Sequence, residues 1–200
     1  MKAIQMHGYG GVDQLRYEDV PAPTAGPSDV LVKVAATSVN PFDWKLRRGD
    51  LKEMLTLHFP VIPGSDVAGE VVAVGAGVFN FKPGQKVMAL TNHTYAELVV
   101  VSSADLAMVP DGLELQQAGA LPVVTTTGAE LMEHVAPQSG QTVLVYGGAR
   151  RRWADCGVCR HRARCTCNSR STLTAEEAGS GAGGGSSHRN RFGLRDPLPS

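Results

Sequence analysis

The chain has 200 residues with 19 Lys+Arg against 19 Asp+Glu, so its formal net charge is zero. No apolar run reaches the roughly twenty residues that span a bilayer, and Met1–His7 is too short and polar to read as a secretory leader, so a membrane-free, leaderless protein is expected. The neutrality hides an asymmetry. Residues 1–149 hold nine Lys+Arg, fifteen Asp+Glu and no cysteine, whereas 150–200 hold ten Arg, four acids and all four cysteines. A cysteine-free body needs no disulfide and suits a reducing compartment, so the cytoplasm is the expected location. The arginine-rich tail could pair with phosphates. No nucleic-acid motif or aromatic stacking platform accompanies it, so a solvated, non-specific segment is expected instead.

In chain order, Lys2-Ala3-Ile4-Gln5-Met6 and Leu15–Val20 predict two strands around the turn Gly8–Gly11. Asp29–Ala36 has valine at every second position, the pattern of a half-buried strand. Pro41–Arg48 predicts a helical turn with Asn40 as its cap, Pro41 at its first position and Gly49-Asp50 as its stop. Residues 61–90 carry the strongest strand signal, in three pieces at 61–66, 67–75 and 82–90, with glycines where a small curled barrel must bend. Tyr95–Val101 predicts a further strand. A short helix over 113–120, a break at Pro122 and a second helix over 127–135 follow.

The strand Thr142–Tyr146 then runs into Gly147-Gly148, the way a dinucleotide-binding βαβ unit begins. Further glycines and an amphipathic helix should follow; the chain instead continues Ala149-Arg150-Arg151-Arg152-Trp153. The apolar residues beyond Arg150 are scattered, so 150–200 is expected to be disordered, with a linker-like stretch at 178–187. Cys156, Cys159, Cys165 and Cys167 with His161 could be read as a zinc site, but the single residue between Cys165 and Cys167 departs from paired-knuckle spacing. The tail also admits an out-of-frame reading. Shifted by one base, the single tryptophan codon at Trp153 gives Gly and the four cysteine codons give Val or Ala, a pattern compatible with a glycine turn followed by an apolar helix.

Together, Asp29–Val34, the Ser38-Val39-Asn40-Pro41-Phe42-Asp43-Trp44-Lys45 turn, Pro63–Val71, Val74-Gly75, Pro83–Val87, Tyr95–Glu97 and Ala118–Pro122 carry a resemblance. In order and spacing they resemble the medium-chain dehydrogenase/reductase superfamily, in its zinc-free quinone oxidoreductase branch, over residues 1–148. The resemblance implies a mixed α/β fold: a GroES-like barrel over 1–122, the start of a truncated Rossmann NADPH-binding domain over 123–149, and the Arg/Gly-rich tail over 150–200. It implies NADPH as cofactor, a small quinone or enone as substrate and hydride transfer between them. Activity is expected to be impaired because the cofactor domain breaks off after Gly148. Relatives dimerise through Rossmann edge strands, so a homodimer is not expected of this chain.

Residue by residue, the resemblance puts Asn40 and Asp43 at the reaction centre and Asn40, Lys45, Thr127, Gly147 and Gly148 on the cofactor. Several of these, and Tyr95 beside them, have a plainer use. Asn40 and Asp43 could simply cap a helical turn, Thr125–Thr127 could be ordinary helix-start residues, and Tyr95 could be a core tyrosine rather than a cleft wall. Zinc-dependent members have cysteine at the position of Asn40 and a His-Glu pair at Ser65-Asp66, so no metal is expected. His7, His58, His93 and His134 show no ligand spacing. A different class of reading is a non-enzymatic barrel module with an arginine-rich interaction tail.

Overall fold

The computed structural model describes residues 1–138, 142–144, 164–167 and 172–176. Its centre is a five-stranded antiparallel sheet built from β3 (Asp29–Ala36), β4 (Asp66–Val74), β5 (Lys86–Leu90), β6 (Leu98–Ser102) and β7 (Leu106–Met108), in the order β6-β3-β4-β5-β7. A separate two-stranded ribbon of β1 (Lys2–Met6) and β2 (Leu15–Asp19) is tied by isolated bridges to the segments before β6 and before β4, from Ala3 to Ala96 and from Met6 to Val61. The core is dominated by valine: Val30, Val32, Val67, Val71, Val87 and Val101 are almost wholly buried, around Phe81 and Leu106. β-branched side chains suit this pleated, close-packed interior because their restricted χ1 angles lose little freedom there.

Two helices abut the sheet, α2 (Leu115–Ala118) and α3 (Pro122–Val135). A third, α1 (Pro41–Arg48), follows β3 after a four-residue connection and stops at Gly49, whose φ of 83° is the left-handed cap that glycine adopts freely. Among the described residues no helix is long and apolar enough to cross a membrane.

Most of the predicted elements are found, with shifted bounds. The piece read at 61–66 contributes one bridge, at Val61, before β4 begins at Asp66; its Pro63, and Pro60 just before it, cannot donate to a ladder. β5 starts at Lys86 because Lys82–Gln85 form a turn, in which the Lys82 N–H donates to the Gln85 side chain at 2.8 Å. The three-residue β7 was not predicted. Pro122 does not break a helix: it begins α3, where its missing N–H is not needed, and Thr125–Thr127 therefore lie inside the first two turns.

Two segments of the region read as disordered are strands. β9 (Arg164–Cys167) and β10 (Thr172–Glu176) pair antiparallel with each other, and β10 pairs with β8 (Thr142–Leu144), giving the order β8-β10-β9. Alternating threonines at 172 and 174 favour such a ribbon locally. The neighbour of β8 is thus antiparallel, where a βαβ unit would supply a parallel one. Gly147, Gly148, Cys156, Cys159 and the remainder of 150–200 lie outside the described residues.

Candidate active site

The site is assembled where β3 ends, α1 begins, β4 starts and α3 leaves. The four-residue connection after β3 delivers Ser38 and Asn40 to this corner, with Asn40 only 5% exposed. Asn40 caps α1: the Asp43 N–H donates to its carbonyl at 3.0 Å, and its own N–H donates to Asp43 Oδ2 at 2.6 Å, a reciprocal pairing that closes the first turn. Its side-chain amide points elsewhere. Asn40 Nδ2 donates to Asp66 Oδ2 at 2.8 Å and to Ser38 Oγ at 3.0 Å.

Asp66, at the start of β4, is fully buried and is the hub. Its Oδ2 accepts from Asn40 and from the Ser38 hydroxyl, and its Oδ1 accepts the backbone N–H of Val123 at 2.6 Å. No basic side chain is among these partners; the compensation for burying the carboxylate comes from three hydrogen-bond donors and the N-terminal end of α3. Beneath it, Thr37 Oγ1 donates to the Asp66 carbonyl at 2.7 Å and lies 3.0 Å from the Oγ1 of fully buried Thr94.

Tyr95 closes the other side. Its hydroxyl donates to Asp43 Oδ2 at 3.0 Å and lies 3.2 Å from the Ser38 carbonyl. Burial raises the Tyr95 phenol well above its ordinary range, and the neighbouring Asp43 carboxylate adds to the effect, so Tyr95 stays protonated and acts as a donor. His93, which precedes this segment, takes a left-handed φ of 67° with its Nδ1 at 2.8 Å from the Ile62 carbonyl, helping to shape the turn into Thr94 and Tyr95.

Burial also raises the Asp43 carboxyl above its ordinary 3.8, against the opposing pull of the Asn40 N–H and the Tyr95 hydroxyl. Its Oδ1 is buried with no hydrogen-bond partner. The stability linked to this raised pKa is complete below the ordinary carboxyl pKa and is lost as pH rises through the higher folded value. The stability of the wild type relative to Asp43→Asn, measured by urea unfolding at successive pH values, is therefore expected to fall from pH 3 towards neutrality. A flat difference would mean that Asp43 titrates in the fold as it does in the unfolded chain.

The structure thus brings Asn40 and Asp43 together and joins to them Ser38, Asp66 and Tyr95. Capping α1 and joining this buried polar cluster are one arrangement in the structure. Lys45 is outside the cluster, exposed, with Nζ 5.8 Å from the Trp44 ring centroid; Arg48 lies 5.3 Å from the same ring. Thr127 is exposed on α3, while Thr125 Oγ1 bonds back to the Leu121 carbonyl at 2.8 Å. Among the described residues no group of three or more His, Cys, Asp or Glu converges as a metal site would. A lone aspartate makes no zinc site, so the sequence alone does not single out Asp66. The available signal was its position beside Ser65 in a Pro-Gly-Ser-Asp run opening an apolar strand, where a charge must find donors.

The GroES-like domain of alcohol dehydrogenases matches residues 26–111. A chloroplast envelope quinone oxidoreductase homolog of Arabidopsis thaliana is 40% identical over 141 residues, covering 68% of this chain and 43% of that protein. The chain belongs to the medium-chain dehydrogenase/reductase superfamily, in its quinone oxidoreductase branch. A second family member from Arabidopsis thaliana, an NADPH-dependent alkenal/one oxidoreductase of chloroplasts, is 35% identical over 160 residues, covering 74% of this chain and 41% of its own. Among solved family structures, a mycobacterial protein complexed with NADPH superposes with a TM-score of 0.69 at 31% identity, covering 78% of this chain and 48% of that one. The chain spans less than half the length of the curated relatives it matches.

Proposed function

We propose that this chain carries the substrate side of an NADPH-dependent, zinc-independent reductase that passes hydride to a quinone or an enone. The observation that carries the reading is the buried bracket around the Ser38–Asp43 turn. Asn40, Asp43 and Tyr95 are fixed by hydrogen bonds within the protein, the preorganisation that a reacting centre requires. Relatives named as quinone and alkenal/one oxidoreductases support the reaction class, and a neighbour solved with NADPH supports the cofactor. In this reading Asn40 and Asp43 stand at the reacting end, Lys45 and Thr127 face the cofactor, and Gly147-Gly148 begin its phosphate turn. The division is barrel over 1–122, start of the cofactor domain over 123–149, and tail over 150–200.

The donor set argues for chemistry without zinc. Both oxygens of Asp66 are engaged by N–H and O–H groups, and Asn40 offers an amide where a metal site needs a thiolate or imidazole. The nicotinamide, when bound, supplies the hydride; the residues here supply position and polar contacts. On the barrel side they fit that task. On the phosphate side they do not, because Ala149 and three arginines follow Gly148 where a close approach to pyrophosphate calls for glycine, so binding and turnover are expected to be weak.

The test is a fluorescence titration with NADPH, expected to saturate weakly and to weaken roughly tenfold further in Asn40→Ala, the cost of one lost polar contact. No saturable response, with salt-sensitive RNA binding that disappears on deleting 150–200, would instead favour a barrel module with an interaction tail. In this reading the protein works in the cytoplasm, a reducing compartment that the cysteine-free body suits; a fluorescent fusion collecting in plastids would overturn it.

A further inference from the structure

Two elements far apart in sequence meet on one carboxylate. The Asn40 side-chain amide and the Val123 backbone N–H occupy the two oxygens of Asp66, at 2.8 Å and 2.6 Å. One belongs to the turn that opens α1; the other is the second residue of α3, the helix that leads out of the barrel. Because Asp66 is wholly buried, water cannot replace either donor without opening the fold. A shift of α3 that withdraws the Val123 N–H leaves Oδ1 desolvated. The carboxylate can then recover a donor only by rotating, which changes its grip on Asn40 at Oδ2 and on Ser38 beside it.

We infer that Asp66 is a positioning residue that couples the seating of α3 to the orientation of the Asn40 side chain. Seating α3 draws Asp66 into the rotamer that holds the Asn40 amide, and holding Asn40 favours the seated helix by the same free energy, since such coupling is reciprocal. The coupling stands on these hydrogen bonds alone; its use in presenting Asn40 to a substrate or cofactor rests on the reductase reading.

The test reads each donor after the other has been removed, in the full ¹⁵N-labelled chain. Val123→Pro deletes the N–H at a helix position that accepts proline. The Asn40 side-chain amide protons, assigned by their disappearance in Asn40→Ala, are expected to shift and to exchange about tenfold faster, the effect of losing one hydrogen bond's support. Conversely, the Val123 amide is expected to shift and exchange faster in Asn40→Ala. Unchanged signals in a folded variant overturn the coupling, and if Val123→Pro does not fold, the Asn40→Ala measurement decides it alone. Coupling seen without any NADPH binding would retain the bracket and remove the reductase reading. NADPH binding with uncoupled amides would do the reverse.

Discussion

Replacing Asp66 with alanine is expected to cost about 3–5 kcal/mol of folding stability, read as a drop in the urea midpoint followed by far-UV circular dichroism. Two effects compete. Removing a buried charge relieves its desolvation, but that penalty is already offset by the Ser38 hydroxyl, the Asn40 amide, the Val123 N–H and the end of α3. Alanine would strand three donors at once and leave a void. Each buried donor without a partner costs about 1–3 kcal/mol, and a water entering the polar void would recover only part of the sum, which sets the range. Asp66→Asn should keep the volume yet remain clearly destabilised. Whichever way its amide faces, an NH₂ group meets either the Val123 N–H or the Asn40 amide, donor against donor. A loss below about 1 kcal/mol for alanine would show that the hub contributes little to folding.

Gly69→Ala is expected to be more damaging still, above about 4 kcal/mol, the range reserved for backbone collisions in a packed core. A Cβ at Gly69 would sit 2.1 Å from the Lys33 carbonyl oxygen and 2.9 Å from its carbon. Strand β3 cannot retreat, because its far edge is paired to β6 from Asp29 to Lys33, and Gly69 itself is held between Val34 and Val87. Gly84→Ala provides the contrast: its Cβ would meet nothing within 4 Å, and only the φ of 88° resists it, at roughly 1 kcal/mol. Parallel denaturation of the two variants checks the ordering. Equal, small losses would mean that the sheet yields at Gly69 by a backbone shift.

What could be read from the sequence was local. The alternating valines of β3, the Asn40-Pro41 start of α1 and its Gly49 stop each announce themselves within a few residues, and each is found as read. Pro122 shows the limit of local signals, since the same residue breaks one helix or begins another depending on what precedes it. The polar cluster was half legible. Asn40 and Asp43 stand three apart, the spacing of a capping pair, but their link to Asp66 and Tyr95 spans 26 and 52 residues and is created only by the pairing of β3 with β4 and by the segment that leads into β6. Nothing in the immediate neighbourhood of Asp66 says that its donors will come from residues 38, 40 and 123. Lys45 and Thr127, singled out by motif position, lie on the surface outside this cluster, where a cofactor could reach them.

Strand β3 keeps one parity from the core to the chemistry. Even-numbered positions from Val30 through Val32, Val34, Ala36 and Ser38 to Asn40 are buried or half-buried, and Val39 between the last two is 77% exposed. The hydrophobic interior of β3 thus leads directly into the connection that carries Ser38 and Asn40 to the polar corner, where Thr37 also reaches the Asp66 carbonyl. A polypeptide lengthened or shortened there by a single residue would present Val39 to Asp66 and turn Asn40 out to water, whereas a change of two would leave the corner properly furnished.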